Sequence, residues 1–170
     1  MAENPLPLTL VYQGWDRYQR DLRKAVTPLS PEQLALPVAP THWPIGMLVQ
    51  HILNDRIWWF QGWMGEGTPE VASFMHWEEE EEGKSLHPAA ELVAGLDATW
   101  DMIERTLARW TVADLGYVFP QPDMLSEAER KIFGPSTRQE IIFHVLRHDM
   151  HHGGELAVGM GGYQLPTIWG

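Results

Sequence analysis

His144, His148, His151 and His152 fall within nine residues near the carboxyl end of this 170-residue chain, and neutral imidazole is a common ligand of transition metals. In a helix, residues four apart project one above the other on the same face, so His148 and His152 can offer two nitrogens to one ion. His144, His148 and His152 cannot all serve. Eight residues span roughly 12 Å of helix axis, beyond the reach of one ion with bonds of about 2.1 Å. A helical wheel at about 100° per residue separates the adjacent pairs. Ile141, Ile142, Val145, Leu146, Met150 and Leu156 form an apolar arc with His152 inside it and His148 on its edge, whereas His144 and His151 lean toward Glu140, Arg147 and Glu155. The inward pair is therefore His148 and His152. The competing reading is that they are core or surface histidines satisfied by hydrogen bonds.

A third ligand must come from elsewhere, and His51, alone inside an earlier apolar helix, suits it. Asp55 follows one turn later, where a carboxylate can orient an imidazole through its free N–H; the alternative is a solvent-exposed helix acid. Asp149 falls inside the apolar arc, and a buried acid needs a partner. It can hold a ligand histidine or a neighbouring helix, or accept a proton from an activated water, and the structural role is the weightier expectation. His144, or failing it His151, is a proton-relay candidate against the alternative of an exposed helix histidine. Met47, Trp58 and Trp59 are expected to line a substrate pocket, since several of the nine tryptophans share the His51 helix.

Four long helical patterns must position these groups. The first runs from about Leu8 to Val26, with Val11, Trp15, Tyr18, Leu22 and Val26 at steps of three or four. Ser30-Pro31-Glu32-Gln33 has a capping serine, a proline at the first helical position and a glutamine three on, the signature of a short extra turn. The second long helix starts between Thr41 and Pro44, continues to about Trp63, and is apolar around nearly its whole circumference. Such a helix is either central or covered by a partner subunit, which makes a homodimer an expectation. Glu78 to Glu82 read as a solvated loop run. The third helix spans about Pro88 to Trp110, Thr111 to Leu115 resembles a short capped turn, and the fourth starts at Ser136 or Thr137 and carries the histidines to about Val158. Gly153-Gly154 inside it is unfavourable for a helix, by about 1 kcal/mol per residue against alanine, and close helix packing is one reason to have it. With no convincing strands, the expected fold is an all-α four-helix bundle forming one domain over residues 1–170, and bundle cores are where facing helices build metal sites.

Composition removes other classes. The absence of cysteine excludes disulfides, thiolate zinc sites and cysteine nucleophiles, so any thiol must arrive with a ligand. A formal charge of −11 argues against nucleic acid. The amino terminus lacks the basic start and apolar core of a signal peptide, and no stretch reaches about 18 apolar residues. A cytoplasmic location without membrane contact is the expectation.

The early tryptophan-bearing helix, the Ser-Pro-Glu-Gln-Leu turn, Gly-Met-Leu-Val-Gln-His ending at His51, and His148-Asp-Met-His-His-Gly-Gly-Glu-Leu together resemble the DinB/YfiT-like superfamily of metalloenzymes over nearly the entire chain. That resemblance implies a four-helix bundle holding a divalent metal with one histidine on helix two and two, spaced by four, on the last helix. Matched residue by residue, these are His51, His148 and His152, in agreement with the wheel. It further implies zinc or nickel, and a chemistry similar to S-transferases or isomerases that use low-molecular-weight thiols. Gly153 stands where the family often has arginine, so an anion-gripping role at that position is in doubt.

The resulting hypothesis is a three-histidine site with an open position, which delivers an activated water or thiol to a small electrophile held against Met47, Trp58 and Trp59. Two rivals remain. His148-x-x-x-His152 also matches zinc peptidases, with Asp149 in place of the usual glutamate base, but no histidine or glutamate after Glu155 supplies the third ligand they need. The other is a non-catalytic metal- and ligand-binding module.

Overall fold

The computed structural model describes residues 6–77 and 87–168. The expected glutamate loop, Glu78 to Glu82, lies outside them. The described chain is mostly helical: α1 (Leu8–Val11), α2 (Trp15–Val26), α3 (Pro31–Leu34), α4 (Ile45–Ile57) continued by a π-helical stretch (Trp58–Trp63), α5 (Pro69–Ala72), α6 (Ala89–Arg109), α7 (Glu127–Ile132) and α8 (Arg138–Gly162). α4 packs against both α8 and α6, and α2 packs against α6. One continuous apolar cluster joins them.

The capping residues act as their types dictate. Ser30 and Gln33, Thr111 and Asp114, and Thr137 and Glu140 each form reciprocal capping boxes. Each satisfies amide groups that a helix start otherwise leaves without a partner. Thr137 rather than Ser136 caps the last helix, which runs to Gly162, four residues beyond the expected end.

Three expectations change. The first helix is broken in two, because Gly14 takes φ 103°, a conformation glycine alone adopts without strain; this re-aims Trp15 and Tyr18 as the start of α2. The second helix begins at Ile45 rather than earlier, and its last six residues, Trp58–Trp63, widen into π-helix. That change of register is a feature often found at functional sites. Finally, the poorly patterned stretch before α8 contains a minimal antiparallel pair, β1 (Val118–Phe119) with β2 (Ser136–Thr137), in register Val118 to Thr137 and Phe119 to Ser136. It sets the entry point of α8.

Every residue of α4 except His51 is buried within this one chain. The helix is central, so its apolar circumference no longer argues for a partner subunit. Among the described residues, no helix is long and apolar enough to cross a membrane.

Candidate metal centre

The three ligands expected from the sequence come together. His51 of α4 faces His148 and His152 of α8, with ring centroids 4.7 Å from each, and one ligand atom from each of the three lies within 4.8 Å of the others. The Nε2 atoms of His51 and His148 are 2.9 Å apart. This is a hydrogen-bond distance between the rings; two nitrogens bonded to one tetrahedral ion at about 2.1 Å stand roughly 3.4 Å apart, so a parting of about half an ångström would place both on a single cation.

The outward nitrogens are oriented by carboxylates. His152 Nδ1 lies 2.6 Å from Glu155 Oε2, which leaves its Nε2 for an ion. His148 Nδ1 is 3.5 Å from Asp55 Oδ2. Both atoms are buried without a hydrogen-bond partner. Coordination through His148 Nε2 would place the ring proton on Nδ1 and turn this unsatisfied pair into a donor and an acceptor. That is the feature of the donor set that best fits a bound cation. Glu155 was not anticipated, although a carboxylate three residues after a ligand histidine on the same helix is a readable signal.

Electrostatics favour neutral imidazoles. Burial, followed by the neighbouring His152 and His51, pushes His148 down to about 2 from the ordinary histidine value. Burial also lowers His152, against the pull of Glu155. Asp55 is raised by burial, opposed chiefly by its contact with His144. Nitrogens that shed protons readily are available as ligands across the physiological range.

His144 is drawn into the site's periphery despite its lean toward the polar side of the wheel. Its Nε2 is 3.4 Å from Asp55 Oδ1, its ring lies 4.6 Å from that of Trp59, and Arg147 Nη2 is 3.3 Å from its Nδ1. Asp55 therefore stands between two imidazoles, those of His144 and His148. His151 is largely exposed, 3.5 Å from Glu155.

Asp149 does something different from the catalytic role considered for it. Fully buried, it accepts from Arg56 Nη2 at 2.7 Å, from Arg56 Nε at 3.1 Å and from Trp15 Nε1 at 2.8 Å. Arg56 in turn donates to Gln19 Oε1 at 2.8 Å and lies 3.3 Å from Thr99 Oγ1. This network ties α2, α4, α6 and α8 together through one buried ion pair, so Asp149 is a structural anchor and the peptidase reading loses its base. Arg56 was missed from sequence. The available signal was a lone cation in a helix otherwise apolar on every side, which requires a buried acid opposite.

An aromatic cavity of about 490 Å³ adjoins the centre, lined by Asp55, Trp58, Trp59, Trp77, Phe133 and His144 among others. Trp58 and Trp59 both line it. Met47 has no exposed surface and is not among the lining residues, because α4 turns it into the core. None of the three converging histidines lines this cavity either; Asp55 and His144 do. His51 and His152 open instead on a cleft of about 380 Å³ formed with His42, Trp43 and Glu155. A further cavity, of about 650 Å³, lies beside α2 around Tyr12 and Trp15, away from the histidines.

Gly153 has a packing reason. A Cβ there would lie 2.2 Å from the Tyr18 hydroxyl oxygen, so Tyr18 occupies the space that any side chain at this position would enter first. Among the described residues, no arginine or lysine lines the aromatic cavity.

A family profile described as the DinB superfamily matches residues 15–156. The crystal structure of a DinB-like protein from Bacillus cereus ATCC 10987, at 2.01 Å resolution, is similar over 90% of this chain and 90% of that one, with a TM-score of 0.63 and 20% sequence identity. Likeness at that identity speaks to the fold. No curated protein matches the chain.

Proposed function

We propose that this chain, which belongs to the DinB superfamily, is a metal-dependent transferase or hydrolase in which His51, His148 and His152 hold one divalent cation, zinc or nickel. The observation that carries this reading is the convergence of three imidazoles from two helices, with ligand atoms within 4.8 Å of one another. A bound cation of this kind supplies Lewis acidity, lowering the pKa of a coordinated water or low-molecular-weight thiol.

The chain's own residues then have distinct tasks. Asp55 fixes the ring of His148 and links it to His144, which faces the aromatic cavity. With Arg147 donating to Nδ1, neutral His144 carries its proton on Nε2, toward Asp55. His144 is thereby placed to exchange a proton between a ligand in the cavity and Asp55. Trp58, Trp59 and Phe133 give the cavity flat apolar walls against which a substrate can pack. The described lining carries Asp55, Glu129 and His144 but no arginine or lysine, which suits an uncharged or cationic small electrophile rather than an anionic one.

His148→Ala should abolish metal bound at this centre, measured by plasma emission on purified protein, with the far-ultraviolet circular dichroism retained. Unchanged metal content would refute the ligand assignment. Chromogenic electrophiles assayed with several thiols, before and after chelation, test the chemistry. Chelation that lowers thermal stability while no conjugating or hydrolytic activity is found would favour the non-catalytic binding module.

A further inference from the structure

The described residues hold a second group of metal-ligating side chains, His76, His87 and Glu91, that shares no member with the centre at His51, His148 and His152. We propose that this group binds a second divalent cation of the zinc, nickel or cobalt class. One ligand atom from each residue lies within 4.8 Å of the others. The two imidazole centroids are 4.4 Å apart at 34°, and His87 Nδ1 is 3.1 Å from Glu91 Oε1. Two imidazoles and a carboxylate form a donor set that borderline cations favour, with a coordination position left for water or another ligand.

The backbone positions of the ligands are fixed independently. His76 follows α5, and its backbone N–H donates to Asn54 Oδ1 at 2.8 Å. That same oxygen accepts from Gln50 Nε2 at 2.9 Å, so the segment is tied to the buried face of α4. His87 stands just before α6 with its side chain 12% exposed, and Glu91 lies in that helix's first turn. An ion pair between His87 and Glu91, with Glu91 favoured near a helix N-terminus, would account for one contact alone. A second imidazole, from a segment eleven residues earlier, lies against the first and brings the third donor within reach of the same point.

The consequence reaches the aromatic cavity. Met75 and Trp77 flank His76 in sequence and both line the cavity, and the Trp77 ring is 6.5 Å from that of His51. A cation joining His76 to the start of α6 staples this wall in place.

The test is equilibrium dialysis of the full chain against zinc, on wild type, His148→Ala, His87→Gln and the double variant. The expected stoichiometries are two, one, one and none. A single equivalent that His148→Ala removes, or two equivalents that persist in His87→Gln, overturns the second site. A single equivalent lost in His87→Gln but kept in His148→Ala supports the second site and refutes the three-histidine centre. No bound zinc overturns both. If His87→Gln fails to fold by circular dichroism, Glu91→Gln at an exposed position replaces it, with the affinity of this equivalent expected to fall at least about tenfold; an unchanged affinity refutes the assignment.

Discussion

Replacing Arg56 by methionine should be among the most damaging single substitutions in this protein, although Arg56 touches none of the three ligand histidines. Arg56 and Asp149 are both fully buried, and Arg56 makes three hydrogen bonds to the Asp149 carboxylate, at 2.7, 3.1 and 3.1 Å. Methionine fills most of the side-chain volume but leaves Asp149 with Trp15 Nε1 as its remaining side-chain donor. Removing one partner of a buried ion pair costs about 3 to 5 kcal/mol, because the remaining charge stays desolvated. At about 2 to 4 °C per kcal/mol for a chain of this size, the midpoint of thermal unfolding should fall by roughly 6 to 20 °C. Asp149→Leu should cost a comparable amount for the mirror reason. The double variant Arg56→Met/Asp149→Leu should recover at least about 2 kcal/mol relative to the sum of the singles, as coupled neighbours do. Urea unfolding followed by tryptophan fluorescence measures all four corners of this cycle. Singles that add, or an Arg56→Met midpoint within about 2 °C of wild type, would refute the clamp and reopen a chemical role for Asp149. Zinc stoichiometry at the first centre should be unchanged in Asp149→Asn that remains folded.

Gly153→Ala should destabilise by about 1 to 3 kcal/mol through overpacking, since its Cβ would meet a Tyr18 ring held by the hydroxyl's hydrogen bond to the Asp149 carbonyl. Gly154→Ala, with nothing within 4 Å of the new Cβ, should stabilise by about 0.5 to 1 kcal/mol from helix propensity; thermal shifts of the same sign would refute this packing account. For the metal-free protein, His148 titrates near 2 when folded but near 6.5 when unfolded, so the unfolded chain takes up the proton first as pH falls. Stability should therefore be full above about pH 6.5 and decline by roughly 1.4 kcal/mol per unit below it. His152, lowered by burial, adds to the decline, whereas Asp55, raised by burial, opposes it toward the acid end. Urea midpoints between pH 7 and 5.5 read this slope, and a flat profile that matches His148→Gln would contradict it. α4 is covered within the chain, so a stable dimer seen by sedimentation at high micromolar concentration should survive substitutions on α4 and use another surface; a dimer that dissociates on an α4 substitution leaving the fold intact would contradict this.

The last helix and its histidines were legible because the pattern there is local. The i, i+4 spacing fixes that His148 and His152 share a face, and the apolar arc fixes which face that is. Capping boxes at Ser30, Thr111 and Thr137 were likewise readable from residues three apart. The break at Gly14 and the π-helical widening at Trp58 were not. A pattern of apolar residues is compatible with several backbone registers, and packing chooses among them. The partners of Asp149 and His144 also lay beyond the wheel. It reports direction around one axis and nothing about what approaches from a neighbouring helix.

By itself, then, the sequence determined a mostly helical chain, free of cysteine, with two imidazoles stacked on one helix face and a third on another helix. Those properties follow from residue type and periodicity. Only the tertiary structure decided that Asp149 belongs to Arg56, that Asp55 bridges His144 and His148, and that Met47 is core while Trp58 and Trp59 line a cavity. The physical reason is that a buried charge takes its meaning from its partner, and partners 93 residues apart, as Arg56 and Asp149 are, meet only when the helices pack.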